Sequence, residues 1–183
     1  DGLKTDYLWK DILTKESLAD IIENYAQVVT EIDPKTKKKR EKQIFPRYHQ
    51  LSVVRSLLAD TLTKGVGQKF LIQHSAGRGK SNSIAWLAHQ LIGLERKGKA
   101  VIHSVLVVTD RVNLDKQIKD TVKQFMQVSS TVAWAESSGQ LRDALKSGKK
   151  IIITTVHKFP FILEEIGTTG KNSTFGIIID EAH

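Results

Sequence analysis

The stretch His74–Ser81, HSAGRGKS, constrains this chain more than any other. It follows an apolar run, Lys69–Gln73 (KFLIQ), and precedes a helical pattern from Gly79 to about Arg96. A strand, a glycine-bearing turn and Gly-Lys-Ser opening a helix form the layout of a phosphate-binding loop. Gly77 and Gly79 let the backbone curl so that successive N–H groups of Ser75, Ala76, Gly77, Arg78 and Gly79 face an anion. The helix N-terminus adds its partial positive charge. Lys80 is placed to reach terminal phosphates, and the Ser81 hydroxyl to ligate Mg²⁺. The strict pattern has glycine where this chain has His74, and a small residue is usual where it has Arg78.

The rest of the chain alternates. Val101–Thr109, Thr131–Trp134, Ile151–Thr155 and Phe175–Ile179 read as strands. Val112–Phe125 and Gly139–Lys146 read as helices. The strands are continuous apolar runs, the signature of a parallel sheet covered on both faces, and the fold class is α/β. Upstream, Tyr7–Val29 and Arg47–Leu62 have helical spacing of apolar residues. Between them lie Lys35, Lys37, Lys38, Lys39, Arg40 and Lys42. This run is expected to be a solvated linker rather than a nucleic-acid patch. It supplies six positive charges in a chain whose net charge is 28 − 20 = +8. The division that follows is a helical lead-in with basic linker over 1–44 and an α/β lobe over 45–183.

Composition removes several classes. Cysteine is absent, which excludes disulfide frameworks and thiolate metal sites. No apolar run approaches the ~18 residues of a membrane span, and the polar start, DGLKTDYLWKD, is no signal peptide. A cytoplasmic location and a segment cut from a larger protein are the expectations.

The second chemical motif is FGIIIDEAH, Phe175–His183. A carboxylate is costly to bury, so Asp180 and Glu181 belong at the carboxyl end of the strand, where open α/β sheets bind ligands. Asp180 is expected to hold Mg²⁺, and Glu181 to orient or deprotonate an attacking water.

Asp180-Glu181-Ala182-His183 resembles the DEAH form of motif II in superfamily 2 helicases and translocases, and HSAGRGKS resembles their motif I. FPRYHQLSVV (Phe45–Val54), VLVVTDRVNLDKQI (Val105–Ile118), IIITTVHKF (Ile151–Phe159) and QHSAGRGKSNSIAWLAHQL (Gln73–Leu91) together are similar to the motor region of the R subunit of type I restriction–modification enzymes. That resemblance covers about Phe45–His183. It implies a RecA-like P-loop NTPase lobe, ATP with Mg²⁺ as cofactors, and catalytic roles for Lys80, Asp180 and Glu181. Also implied are double-stranded DNA as partner, and association with modification and specificity subunits. In such a motor Gln50 reads the adenine edge, its amide offering both a donor and an acceptor. Phe45 or Tyr48 stacks on the ring or packs in the core. Thr109, Arg111, Thr154 and Thr155, at strand ends, are candidates for DNA phosphate contacts or for helix capping. Trp86 and Trp134 read as core, and the histidines lack metal-ligand spacing. Two alternatives stand beside this reading: a general superfamily 2 DNA or RNA helicase lobe, and a non-hydrolysing nucleic-acid-docking module with Arg78 blocking the loop.

Overall fold

The computed structural model describes residues 2–33, 36–74, 79–109, 121–122, 131–135, 137–158, 160, 164, 167 and 173–180. The chain divides into two compact units, Asp1–Leu51 and Ser52–His183.

The first unit opens with a π-helical turn, Leu8–Ile12, closed by the Leu13 N–H donating to the Leu8 carbonyl at 2.7 Å. Helix α1, Lys15–Asn24, follows. Thr14 caps it, its hydroxyl accepting from the Ser17 N–H at 3.3 Å, and this satisfies one of the orphan donors every helix start carries. At its far end the chain departs from the helical pattern expected over Tyr7–Val29. Helix α1 ends at Asn24, and Gln27–Ile32 forms strand β1. Val28, Val29 and Thr30 are β-branched, and their stiff χ1 suits a strand better than a helix. The basic run is not a linker either. Lys39–Ile44 is strand β2, paired antiparallel to β1 with Gln27 opposite Ile44 and Ile32 opposite Lys39. Ile21, Tyr25, Val29 and Leu51 are this unit's buried apolar side chains.

Helix α2, Tyr48–Lys64, begins just after Pro46. Gln50, its third residue, reaches back so that Oε1 accepts from the Arg47 N–H at 2.8 Å, which is half of a capping box.

In the second unit, helix α3, Lys80–Ile92, ends at Gly93. The expected extension to Arg96 is instead a small hairpin, β3 (Glu95–Arg96) with β4 (Lys99–Ala100). Its two turn residues, Lys97 and Gly98, have φ of 52° and 73°, the geometry that matches the twist of a two-residue hairpin.

Strands β5 (Ser104–Thr109), β6 (Val132–Trp134), β7 (Ile151–Thr155) and β8 (Phe175–Ile179) form one sheet in the order β6-β7-β5-β8. Every pairing in it is parallel, as the apolar runs imply. All residues of β5 and β7 are buried. Alternation divides the faces. Leu106 and Ile152 pack with Ala135 and with Leu141 and Ala144 of helix α4, Ser138–Lys146. Val105 belongs to the opposite face, where it meets α3. A methyl group added at Gly176 of β8 would lie 3.3 Å from Val105 and 3.5 Å from Ile102 and from Leu91 of α3. Glycine therefore lets α3 approach the sheet closely. Helices thus cover both faces, which is the α/β arrangement expected.

Lys69–Gln73 is not a strand. Phe70, Leu71 and Ile72 are exposed there, Leu71 at 90%. The helix expected over Val112–Phe125 falls almost wholly outside the described residues, of which Thr121 and Val122 are helical. No helix among the described residues is long and apolar enough to cross a membrane.

Candidate functional site

Parallel strands bring their carboxyl ends to one side of the sheet. The first residue past β8 is Asp180, whose N–H donates to the Val108 carbonyl of β5 at 2.8 Å. That bond continues the ladder by one residue and fixes the Asp180 backbone at the mouth of the sheet. The side chain is nearly sealed from solvent, with 1% of its surface accessible.

Lys80 opens α3, directly after Gly79, whose φ of 76° and ψ of 40° are left-handed. A non-glycine residue there would strain the backbone. No side chain caps this helix at Gly79, and its first turn carries no acidic residue. A helix start of this kind attracts an anion.

These two features meet. Lys80 Nζ lies 2.6 Å from Asp180 Oδ1, although 100 residues separate them in sequence. The lysine side chain is 35% exposed and so spans the boundary between the buried carboxylate and solvent. The contact is an ion pair, and neither carboxylate oxygen has a hydrogen-bond partner among the described residues. A buried carboxylate oxygen without a donor is costly. Hard divalent cations take such oxygens as ligands, so the donor set fits Mg²⁺. Ser81, next along α3, is half-buried. The geometry therefore places an ammonium, a helix N-terminus and a buried carboxylate together. These are the elements needed to hold a phosphate chain with its metal.

Ser75, Ala76, Gly77 and Arg78 of the loop, and Glu181 and His183 after Asp180, lie outside the described residues, as does Arg111. Of the candidates for phosphate contact, Thr109 lies at the end of β5 and Thr154 near that of β7. Both are buried. The Thr109 hydroxyl donates to the Thr154 carbonyl at 3.4 Å, and the Thr154 hydroxyl to the Ala135 carbonyl at 3.2 Å. They tie β5 to β7 and β7 to the residue after β6. Thr155 is buried as well. In the first unit, Gln50 is 3% exposed and serves the start of α2 as described. Phe45 and Tyr48 are exposed rather than core, and the Tyr48 ring lies 4.9 Å from that of Tyr7. Trp86 is buried.

Motif reading passed over one group. His89, on the later part of α3, buries its Nε2 without a partner among the described residues. Burial pushes its pKa below the usual 6.5, and a hydrogen bond with the Val122 backbone offsets part of that. The folded state thus prefers the neutral ring. As pH falls through 6.5 the unfolded chain takes up the proton first, and stability falls. Stability is complete above that value and is lost as pH drops towards the folded pKa. Thermal unfolding of wild type should show a lower midpoint at acidic than at neutral pH, and His89→Gln should flatten that dependence. An identical slope in both proteins would remove His89 from the account.

A family model described as SWI2/SNF2 ATPase matches residues 49–183. No curated protein matches the chain. The match covers well over half of the chain, and the chain belongs to that family. The lobe is the ATP-dependent motor region of a superfamily 2, helicase-like ATPase.

Proposed function

We propose that this SWI2/SNF2-family chain is the ATP-binding first motor lobe of a type I restriction enzyme R subunit, coupling ATP hydrolysis to translocation of double-stranded DNA ahead of cleavage. The contact that carries the nucleotide reading is Lys80 against Asp180 at the carboxyl end of the sheet. The restriction assignment is supported by the run of motifs from Phe45 to His183, above all Gln73–Leu91 and Ile151–Phe159. Modification and specificity subunits are its partners on this reading.

In the site, Gly79 and the start of α3 receive phosphate oxygens, and Lys80 moves from Asp180 to the terminal phosphates. Asp180 and the Ser81 hydroxyl would hold Mg²⁺, which when bound neutralises charge on the phosphates. Glu181 positions water.

The test is calorimetric titration with a non-hydrolysable ATP analogue, with Mg²⁺ and with EDTA. Binding should depend on the metal in wild type and lose that dependence in Asp180→Asn. Equal affinity in Mg²⁺ and in EDTA for wild type would overturn the metal role of Asp180. Absence of binding in both would overturn the nucleotide site.

A further inference from the structure

The basic hairpin of the first unit carries none of the residues assigned to the nucleotide site. Strands β1 and β2 form a two-stranded sheet of their own. Such a ribbon is marginal in water unless something else favours it. From Thr36 to Gln43 every residue is exposed. Hydrogen bonds join the described residues on either side of the turn. The Thr36 N–H donates to Asp33 Oδ1 at 2.9 Å, the Lys37 N–H to the Asp33 carbonyl at 2.8 Å, and the Asp33 N–H to the Lys38 carbonyl at 3.0 Å. Lys37 sits there at a φ of 57°. Glycine or asparagine adopts this left-handed geometry with less strain. The turn thus accepts strain and keeps a cationic side chain at its tip.

We propose that this hairpin is a contact surface for the phosphate backbone of duplex DNA, distinct from the nucleotide site. Successive side chains of a strand alternate in direction, so Arg40 and Lys42 lie on one face of β2 and Lys39 on the other. Exposed cations therefore lie on both faces of the ribbon next to its turn, which suits a partner that flanks that end on both sides. Nearer the base the Arg40–Lys42 face packs on the core through Val29, opposite Lys42. The major groove of duplex DNA, about 12 Å wide and walled by phosphates, admits a two-stranded ribbon. A lipid surface presents anions to one face only. It also rewards inserted apolar groups, and Asp33–Gln43 has no aliphatic or aromatic side chain other than the Pro34 ring. The contacts are with phosphate, so they position the chain on the duplex without reading its sequence.

The inference rests on duplex DNA as the partner, in common with the proposed function, but not on ATP binding. The test is anisotropy of a labelled short duplex of mixed sequence with the whole 183-residue chain, over a range of NaCl concentrations. Two variants are compared with wild type: Lys37→Gly, and the triple variant Lys37→Gln/Lys39→Gln/Arg40→Gln. The plot of log affinity against log salt should become shallower by about 0.9 in the first and about 2–3 in the second. The Mg²⁺–ATP analogue affinity should not move. Lys37→Gly relieves the turn, so its unfolding midpoint should hold or rise, and weakened DNA binding in it is not a folding defect. An unchanged salt slope in the triple variant overturns the inference, as does a wild-type chain that does not bind duplex at low salt. Tighter binding of wild type to phosphatidylserine vesicles than to duplex, lost in the triple variant, also overturns it and assigns the hairpin to membranes. Failure of the nucleotide reading would show separately, as absent ATP-analogue binding with duplex binding intact.

Discussion

Lys80→Ala is expected to weaken binding of the Mg²⁺–ATP analogue by at least about tenfold, a loss of roughly 1.4 kcal/mol or more. The ammonium is the charge at this end of the sheet that meets Asp180, at the start of a helix with no acidic residue in its first turn. A phosphate chain placed there loses a charge-assisted contact when the lysine is removed. The same change acts on the protein without ligand. Asp180 stays buried when its cation leaves. Removing one partner of a fully buried pair costs about 3–5 kcal/mol. Lys80 is itself about one-third exposed, and solvent screens the pair, so about 1–3 kcal/mol is the expected loss of stability. Lys80→Arg, which keeps the charge, should recover most of the stability and less of the binding, because the guanidinium is longer and forked. Titration and urea denaturation on the three proteins separate the two effects. Wild-type affinity in Lys80→Ala would show that the lysine does not touch phosphate.

Trp86→Ala is expected to cost the second unit about 3–5 kcal/mol. Trp86 is the largest of the fully buried side chains and lies in the middle of α3. Few domains hold more than about 5–15 kcal/mol in total, so the variant should unfold at much lower urea or not fold. Leu71→Ala is the counterpart. Leu71 is apolar too, but 90% exposed, and its loss should stay within about 0.5 kcal/mol. A cost below about 1 kcal/mol at Trp86 would mean that α3 is not anchored as described. Because α3 begins at Lys80, a loosened helix also displaces the lysine from Asp180.

The two central strands of the sheet, β5 and β7, were legible because burial on both faces leaves its mark on every residue of a strand. Ile151–Thr155 and Val105–Thr109 have no polar face to betray a solvent side, and all of them are buried. Lys80 and Asp180 were legible for a chemical reason, since few arrangements require that lysine and that carboxylate at those spacings. The lead-in misled for two reasons. Val29 falls at helical spacing from Tyr25, so periodicity could not separate the end of α1 from the start of β1. Charge density hid β2, because cross-strand backbone bonds do not depend on side-chain polarity. KFLIQ shows the opposite error, an apolar run that makes no strand bonds. For Thr109 and Thr154 the sequence gives position at a strand end but not side-chain direction, and both hydroxyls turn to neighbouring carbonyls.

The ion pair between Lys80 and Asp180 has a consequence for how ligands arrive. The ammonium is a built-in competitor for the oxygen a metal would use. On the proposed function, Mg²⁺ offered alone must displace it from that oxygen. A nucleotide offered alone must draw it away from the carboxylate. When the two come together each supplies what the other takes away, so their binding free energies couple favourably and, by linkage, reciprocally. On the proposed function the resting contact thus disfavours either half-ligand and admits the metal–nucleotide complex as a unit.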